Sequence, residues 1–321
     1  MLPKLAIIVP CFNEVEQIPL TIDKLTIVIH EMLAEDLIDP TSYILFVDDG
    51  SNDGTFDKIT SMNDKTMHIK AIKLSRNFGH QYALLAGLNY CNKKVDVSIS
   101  IDADLQQDEG VMVQFIKEYL RGNDIVYGVR NNRCSDGFLK KSTAGLFYSL
   151  MRSMGVNIIR DHSDYRLLSS KVLNVLDEYG EANLFLRGII PSIGFRSTTV
   201  YHDVRARETG KSKYTIVKML RLALDGITSF SIMPIRLITL MGVLVLFFCL
   251  VMSGYILWAK IAGKSMHGWA STILPIYFIG GLNLFSIGLV GEYIGRIYLE
   301  AKERPRYIID ELYNINLDEK E

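Results

Sequence analysis

Paired cysteines are missing from this sequence. Its 321 residues hold four, at positions 11, 91, 134 and 249, without a C-x-x-C spacing. Neither a disulfide framework nor a structural zinc site organises the chain. The six histidines show no H-x-x-x-H or H-E-x-x-H spacing, so each reads as a structural or surface residue. An excess of one charge is missing too. Lys plus Arg is 35 and Asp plus Glu is 36, a formal net charge of −1, which argues against a nucleic-acid binder. Repeats and low-complexity tracts are absent, and with 49% hydrophobic residues the chain has ample material for a core. The first apolar run, Leu5–Val9, stops at Pro10. It is too short for a secretory signal and reads as a buried strand, leaving the N-terminal part in the cytosol.

What is present is unevenly distributed. Charges are spread regularly to about Arg221, and then two stretches, 237–259 and 268–291, carry none. The mean hydropathy of +0.17 is high for a wholly soluble enzyme. Each stretch has about the 20 residues that cross a bilayer. Joined by a short loop, they are expected to form a transmembrane hairpin with both flanks on one side. Arg221, Arg236, Arg296, Lys302, Arg304 and Arg306 lie on that side, against Lys260 and Lys264 on the other. The positive-inside rule makes it cytoplasmic, which predicts a multi-pass protein of the cytoplasmic membrane. Tyr214–Ile232 mixes Lys218 and Arg221 with apolar residues and reads as a helix lying on the bilayer surface. Gly291 and Gly295 form G-x-x-x-G, a packing face for a homo-oligomer. The expected organisation is a catalytic region 1–213, an interfacial region 214–234, two spans within 235–296, and a cytoplasmic tail 297–321 that is charged and frays after Ala301 apart from a short helix.

The first region alternates strand and helix patterns. Strands are expected at Leu5–Val9, Tyr43–Val47, Ile69–Leu74, Val97–Ile101 and Ile125–Gly128. Helices are expected near Val15–Ala34, Thr55–Met62, Gln81–Cys91 and Val111–Leu120. This order predicts an α/β fold with a Rossmann-like, mostly parallel sheet. Ligands of such sheets bind beyond the carboxyl ends of the strands. Polar clusters follow the first, second and fourth strands: Pro10-Cys11-Phe12-Asn13-Glu14, Asp48-Asp49-Gly50-Ser51-Asn52-Asp53, and Asp102-Ala103-Asp104-Leu105-Gln106-Gln107-Asp108. Any one alone reads equally as a polar turn capping the next helix, as Asp53 would. Three acidic clusters at one edge repel unless a cation or donor groups compensate them.

Asp102 and Asp104, one residue apart, can face one point as their strand ends. A hard cation such as Mg²⁺ takes one or two carboxylates and completes its shell with substrate phosphates. Gln106 adds an amide oxygen. A glycosidase pair instead needs carboxyls about 5–9 Å apart across a sugar, which this spacing does not readily give. Thr209-Gly210-Lys211-Ser212 looks like the end of a phosphate loop. Arg205 stands where that motif needs glycine.

These strings, with Asp164-Tyr165-Arg166-Leu167 and Arg207-Glu208-Thr209-Gly210-Lys211-Ser212-Lys213, resemble the family 2 glycosyltransferases of GT-A type. Within them the chain resembles the polyprenyl-phosphate glycosyltransferase branch, which includes bacterial bactoprenol glucosyltransferases and dolichyl-phosphate mannose synthase. The resemblance implies inverting transfer of one sugar from a nucleotide sugar, with a UDP-hexose favoured, to undecaprenyl or another polyprenyl phosphate. It implies that Pro10, Asn13, Glu14, Asp48, Asp49, Asp102 and Arg130 bind the nucleotide sugar. Asp102, Asp104 and Gln106 match the Mg²⁺ or Mn²⁺ site. Arg130, Arg166, Arg207, Lys211, Ser212 and Lys213 match basic and polar positions near the acceptor phosphate. Asp104, Asp164 and Arg207 are the catalytic candidates, with Asp164 either a base or an orienting group. Two departures are visible: Gln107-Asp108-Glu109 where Asp-Pro-Pro is common, and Ser163 where glycine is usual. Transfer to another membrane lipid such as diacylglycerol, and a non-catalytic sugar-nucleotide adaptor, are the alternatives.

Overall fold

The computed structural model of the chain describes residues 1–62, 69–131, 162–180, 186–203, 233–262 and 269–315. These fall into two units. One takes the described residues of 1–203 together with 305–315; the other takes 233–304.

The first unit is built on eight strands: β1 (Leu5–Cys11), β2 (Tyr43–Asp48), β3 (Ile69–Leu74), β4 (Val97–Ser100), β5 (Ile125–Arg130), β6 (His162–Ser169), β7 (Ser197–His202) and β8 (Ile309–Tyr313). Its helices are α1 (Ile18–Ala34), α2 (Thr55–Ser61), α3 (His80–Cys91), α4 (Val111–Leu120), α5 (Ser170–Asp177) and α6 (Leu186–Ser192). The strand order is β7-β5-β6-β4-β1-β2-β3-β8. β1 runs parallel to β2 and β4, β2 to β3, and β5 to β7. β6 runs antiparallel to both β4 and β5, and β8 antiparallel to β3. The fold is thus a mixed α/β, Rossmann-like sheet.

Every residue of β1 and β2 is buried, as strands covered on both faces require. Leu5, Ile7 and Val9 of β1 share one core with Ile18, Ile22, Leu25 and Ile29 of α1 and with Phe115 and Ile116 of α4. The opposite face, through Ile8 and Val47, receives α3 at Gly87, where a Cβ would stand 2.4 Å from the Ile8 Cγ2. Gly87→Ala therefore overpacks the sheet, and the expected loss is about 1–3 kcal/mol in a denaturant melt.

The structure extends β1 and β5 by two residues and β2 by one, ends β4 one residue early, and adds β6, α5, α6, β7 and β8. The tail is a correction. It does not fray through Tyr313: after Ala301 the chain returns to the sheet as β8. Ser75 donates its backbone N–H to the Ile308 carbonyl at 3.0 Å, and Lys73 pairs with Glu311 at 2.8 Å. Asn89 donates to the Tyr307 hydroxyl at 3.2 Å. Backbone pairing to β3 outweighs the tail's charge. Deleting 305–321 uncovers the β3 edge, and a lowered melting midpoint with new concentration-dependent association on a sizing column is expected.

The second unit holds two long helices, α7 (Met233–Ile261) and α8 (Trp269–Ala301), which touch each other. Among the described residues, Phe278–Ala301 is long and apolar enough to cross a membrane, with a mean hydropathy of 1.3 and none of it buried. Leu244, Phe247 and Phe248 of α7 are likewise exposed. Tyr214–Ile232, read above as interfacial, lies outside the described residues.

Candidate active site at the carboxyl edge of the sheet

Parallel strands β1, β2, β3 and β4 all end at one edge, and antiparallel β6 begins there. The β4–β6 register pairs Ser100 with Arg166. Continued by two residues, it sets Asp102 across from Asp164. Topology therefore brings together two carboxylates far apart in sequence.

The loops after β1 and β2 are tied together by reciprocal bonds. Asn13, at a φ of 53°, donates its backbone N–H to the Ser51 Oγ at 2.8 Å, and its side-chain oxygen accepts from the Asn52 N–H at 3.0 Å. The Glu14 N–H reaches the Thr55 Oγ1 at 3.0 Å, and the Val15 N–H reaches Asp53 at 3.2 Å. Gly50 turns at a φ of 69°, and a Cβ there would stand 2.5 Å from the Arg76 backbone, a turn only glycine makes cheaply. Asp49 is buried and accepts the N–H groups of Phe78 and Gly79 at 2.7 and 2.8 Å. Burial nevertheless dominates and raises its pKa. Asp48 is raised by burial as well, against hydrogen bonds from Ser51. Asp49 thus ties the loop after β2 to the turn before α3, Asp48 braces its own loop through Ser51, and Pro10 is buried inside β1. This tied pair of loops forms one wall of the edge.

Past β4 the chain alternates. Ile101, Ala103, Leu105 and Gln107 are buried, while Asp102, Asp104, Gln106 and Asp108 are partly exposed. Asp102, Asp104 and Gln106, three oxygen-bearing side chains, are thus among the partly exposed members of this stretch, which turns rather than runs extended: the Leu105 N–H donates to the Asp102 carbonyl at 3.2 Å. Leu105 carries the turn at a φ of 46°. Gln107 donates to the Asp102 Oδ2 at 2.7 Å. Among the described residues, no three His, Cys, Asp or Glu side chains form a metal cage. Two carboxylates and an amide oxygen do fit a hard divalent cation that leaves several positions to phosphate and water.

Asp164 is 3% exposed, and donors surround it. The Arg166 Nη2 lies 2.6 Å from Oδ1, and Arg187 grips both oxygens from Nε at 3.2 Å and Nη2 at 2.9 Å. Gln81 and His80 approach Oδ2 at 3.4 Å each. Burial opposes ionisation, but Arg187, the His80 hydrogen bond and Arg166 overcome it and hold the carboxylate well below its usual range. The His80 Nε2 also lies 3.5 Å from the Asp102 Oδ1.

Several expected residues stand elsewhere than a surface reading places them. Arg166, expected near the acceptor phosphate, is fully buried and pairs with Asp164 at 2.6 Å. Arg130 ends β5 opposite His202 of β7. Arg207, Lys211, Ser212 and Lys213 lie outside the described residues. His80 and Arg187 were not anticipated. His80 closes the polar sequel of β3, Arg76-Asn77-Phe78-Gly79-His80, which ends at the same edge and is the sequence signal that points to it. Arg187 gives no sequence signal, because α6 brings it in from outside the strand-end motifs.

Comparison with known proteins fits this arrangement. The glycosyl transferase family 2 model matches residues 6–177, from β1 through α5. The uncharacterised glycosyltransferase YkoT of Bacillus subtilis is 49% identical over 317 residues, 98% of this chain and 94% of that protein. The bactoprenol glucosyl transferase of Shigella phage SfX is 36% identical, over 95% of this chain and 98% of its own. Among solved structures, mannosyl-3-phosphoglycerate synthase from Rubrobacter xylanophilus is similar at a TM-score of 0.47 and 14% identity, over 70% of this chain and 71% of that one. With its matched span and its full-length relatives, the chain is a glycosyltransferase that belongs to glycosyl transferase family 2.

Proposed function

We propose that this enzyme transfers one hexose from a nucleotide sugar to a polyprenyl phosphate, with inversion at the anomeric carbon. The observation that carries the reading is the edge itself: a partly exposed Asp102/Asp104 pair at the strand end that faces an arginine-bound Asp164. The acceptor class is supported by the name bactoprenol glucosyl transferase borne by the phage relative, at 36% identity over 95% of this chain. A UDP-hexose is the favoured donor.

The tied loops carrying Asn13, Glu14 and Asp49 hold the nucleoside. Asp102, Asp104 and Gln106 hold Mg²⁺ or Mn²⁺, which when bound supplies Lewis-acid stabilisation of the departing diphosphate. An acceptor phosphomonoester with a second pKa near 6 is already largely dianionic at neutral pH. Its oxygen attacks the anomeric carbon as the bond to the diphosphate breaks, and no proton has to be removed first. That frees Asp164 from the role of base. With five donors crowding about four lone-pair sites, it serves instead to hold Arg166 and Arg187. Arg130, Arg207, Lys211, Ser212 and Lys213 supply phosphate contacts. α7 and α8 anchor the enzyme as two spans in the cytoplasmic membrane, with Tyr214–Ile232 at the bilayer surface and the sheet in the cytoplasm. Gly291-x-x-x-Gly295 offers a face for self-association.

The test is turnover by the full chain in detergent, with a panel of sugar nucleotides, Mg²⁺ or Mn²⁺, and undecaprenyl phosphate present or absent. Acceptor-dependent release of one nucleotide supports the reading and names the sugar. Turnover with diacylglycerol instead moves the enzyme to glycolipid synthesis. Folded protein that turns over no donor overturns the reading.

A further inference from the structure

His80 is the first residue of α3, and three strand ends meet at this turn. Asp49, after β2, accepts the N–H groups of Phe78 and Gly79 and so fixes the backbone from which His80 projects. The ring Nε2 then stands 3.5 Å from the Asp102 Oδ1, after β4, and 3.4 Å from the Asp164 Oδ2, on β6. The other Asp102 oxygen is held by Gln107 at 2.7 Å. Asp164 is immobilised by Arg166 and Arg187. The ring Nε2 therefore lies within ion-pair reach of both a partly exposed carboxylate and a buried one held by two arginines. Without it, two like charges would face each other across the gap.

We propose that His80 is a positioning residue of the donor site, its Nε2–H bracing Asp102 against the fixed Asp164 so that Asp102 presents its carboxylate to the cation and diphosphate. Both the imidazolium and the Nε2–H neutral tautomer carry this proton, so the brace works in either charge state. Outer partners of metal-binding carboxylates fix ligand orientation in this way, and losing one costs about 10–100-fold in metal affinity. The inference rests on the donor site proposed above and not on the identity of the acceptor.

The test compares two replacements of similar reach. His80→Leu keeps bulk and removes the donor, whereas His80→Gln keeps an N–H near the Nε2 position. Binding of Mn²⁺ with UDP, and in parallel with GDP, is measured by calorimetry on the full chain in detergent. His80→Leu is expected to weaken Mn²⁺–nucleotide binding about 10–100-fold and to raise the donor KM more than it lowers kcat. His80→Gln is expected to restore most of both. Equal binding by the Leu variant and the unsubstituted chain overturns the proposal, as does a Gln variant as impaired as Leu. If His80→Leu does not fold, His80→Ala takes its place against Gln. An unsubstituted chain that binds neither Mn²⁺–nucleotide overturns the donor site itself. Absence of transfer to undecaprenyl phosphate, with the Leu–Gln contrast intact, overturns only the acceptor reading.

Discussion

Alanine at position 104 is expected to lower donor turnover by about a thousandfold, the scale on which a preorganised group facing developing charge contributes. Asp104 lies on the partly exposed side of the alternating stretch after β4. Its carboxylate accepts the Gln106 backbone N–H at 3.3 Å. Replacements at such partly exposed positions stay within about 0.5 kcal/mol of the parent. The distinguishing result is therefore loss of turnover at an unchanged melting midpoint. A variant that melts early, or one that retains turnover within a few-fold, removes Asp104 from the leaving-group side of the reaction.

Asp164→Asn is expected to behave in the opposite manner, losing stability first. Arg166 has no exposed surface, and its ion pair is with Asp164 at 2.6 Å. Removing one member of a buried pair strands the other, at a cost of about 3–5 kcal/mol. For a unit of this size that lowers the melting midpoint by roughly 10 °C. The sign of the pH dependence follows from the ionisation. Burial raises the Asp164 pKa, but the arginines and His80 more than reverse this, so the folded value lies below the unfolded one. The stabilisation is therefore complete above the unfolded aspartate value of about 3.9. It disappears as the pH falls through the folded value. The gap between parent and variant, measured by chemical denaturation across that range, is expected to close in acid. A gap that is flat with pH, or a variant as stable as its parent, shows that the carboxylate is not the counter-ion of Arg166.

The elements legible in the sequence were those whose residues all agree. β1 and β2 are largely apolar runs bounded by polar turns, and Val111–Leu120 is helical over the span its pattern predicts. β6 was hidden because it places Asp164 and Arg166 inside the sheet, and charges in a short run argue against a buried strand until their partners are known. β8 was hidden by its composition, Ile309-Asp310-Glu311-Leu312-Tyr313, which suits an exposed edge as well as a loose tail. The same division runs through the site. Asp102 and Asp104 were legible as a pair because they stand one residue apart just past an apolar strand. His80 and Arg187 were not, since each acquires its role only when the sheet brings Asp164 beside it.

The last strand of the sheet is also the last part of it to be made. A ribosome produces β3 early, yet the segment that closes its edge follows both apolar helices. Until then β3 presents unpaired backbone groups, a template for wrong partners. The nascent catalytic unit must wait, incomplete, while α7 and α8 are synthesised. Closure by β8 then reports that both helices have left the ribosome. A chain interrupted within α8 would carry every side chain that touches Asp164 and still lack a finished sheet. In this protein the order of synthesis couples completion of the sheet to completion of the helices proposed to anchor it.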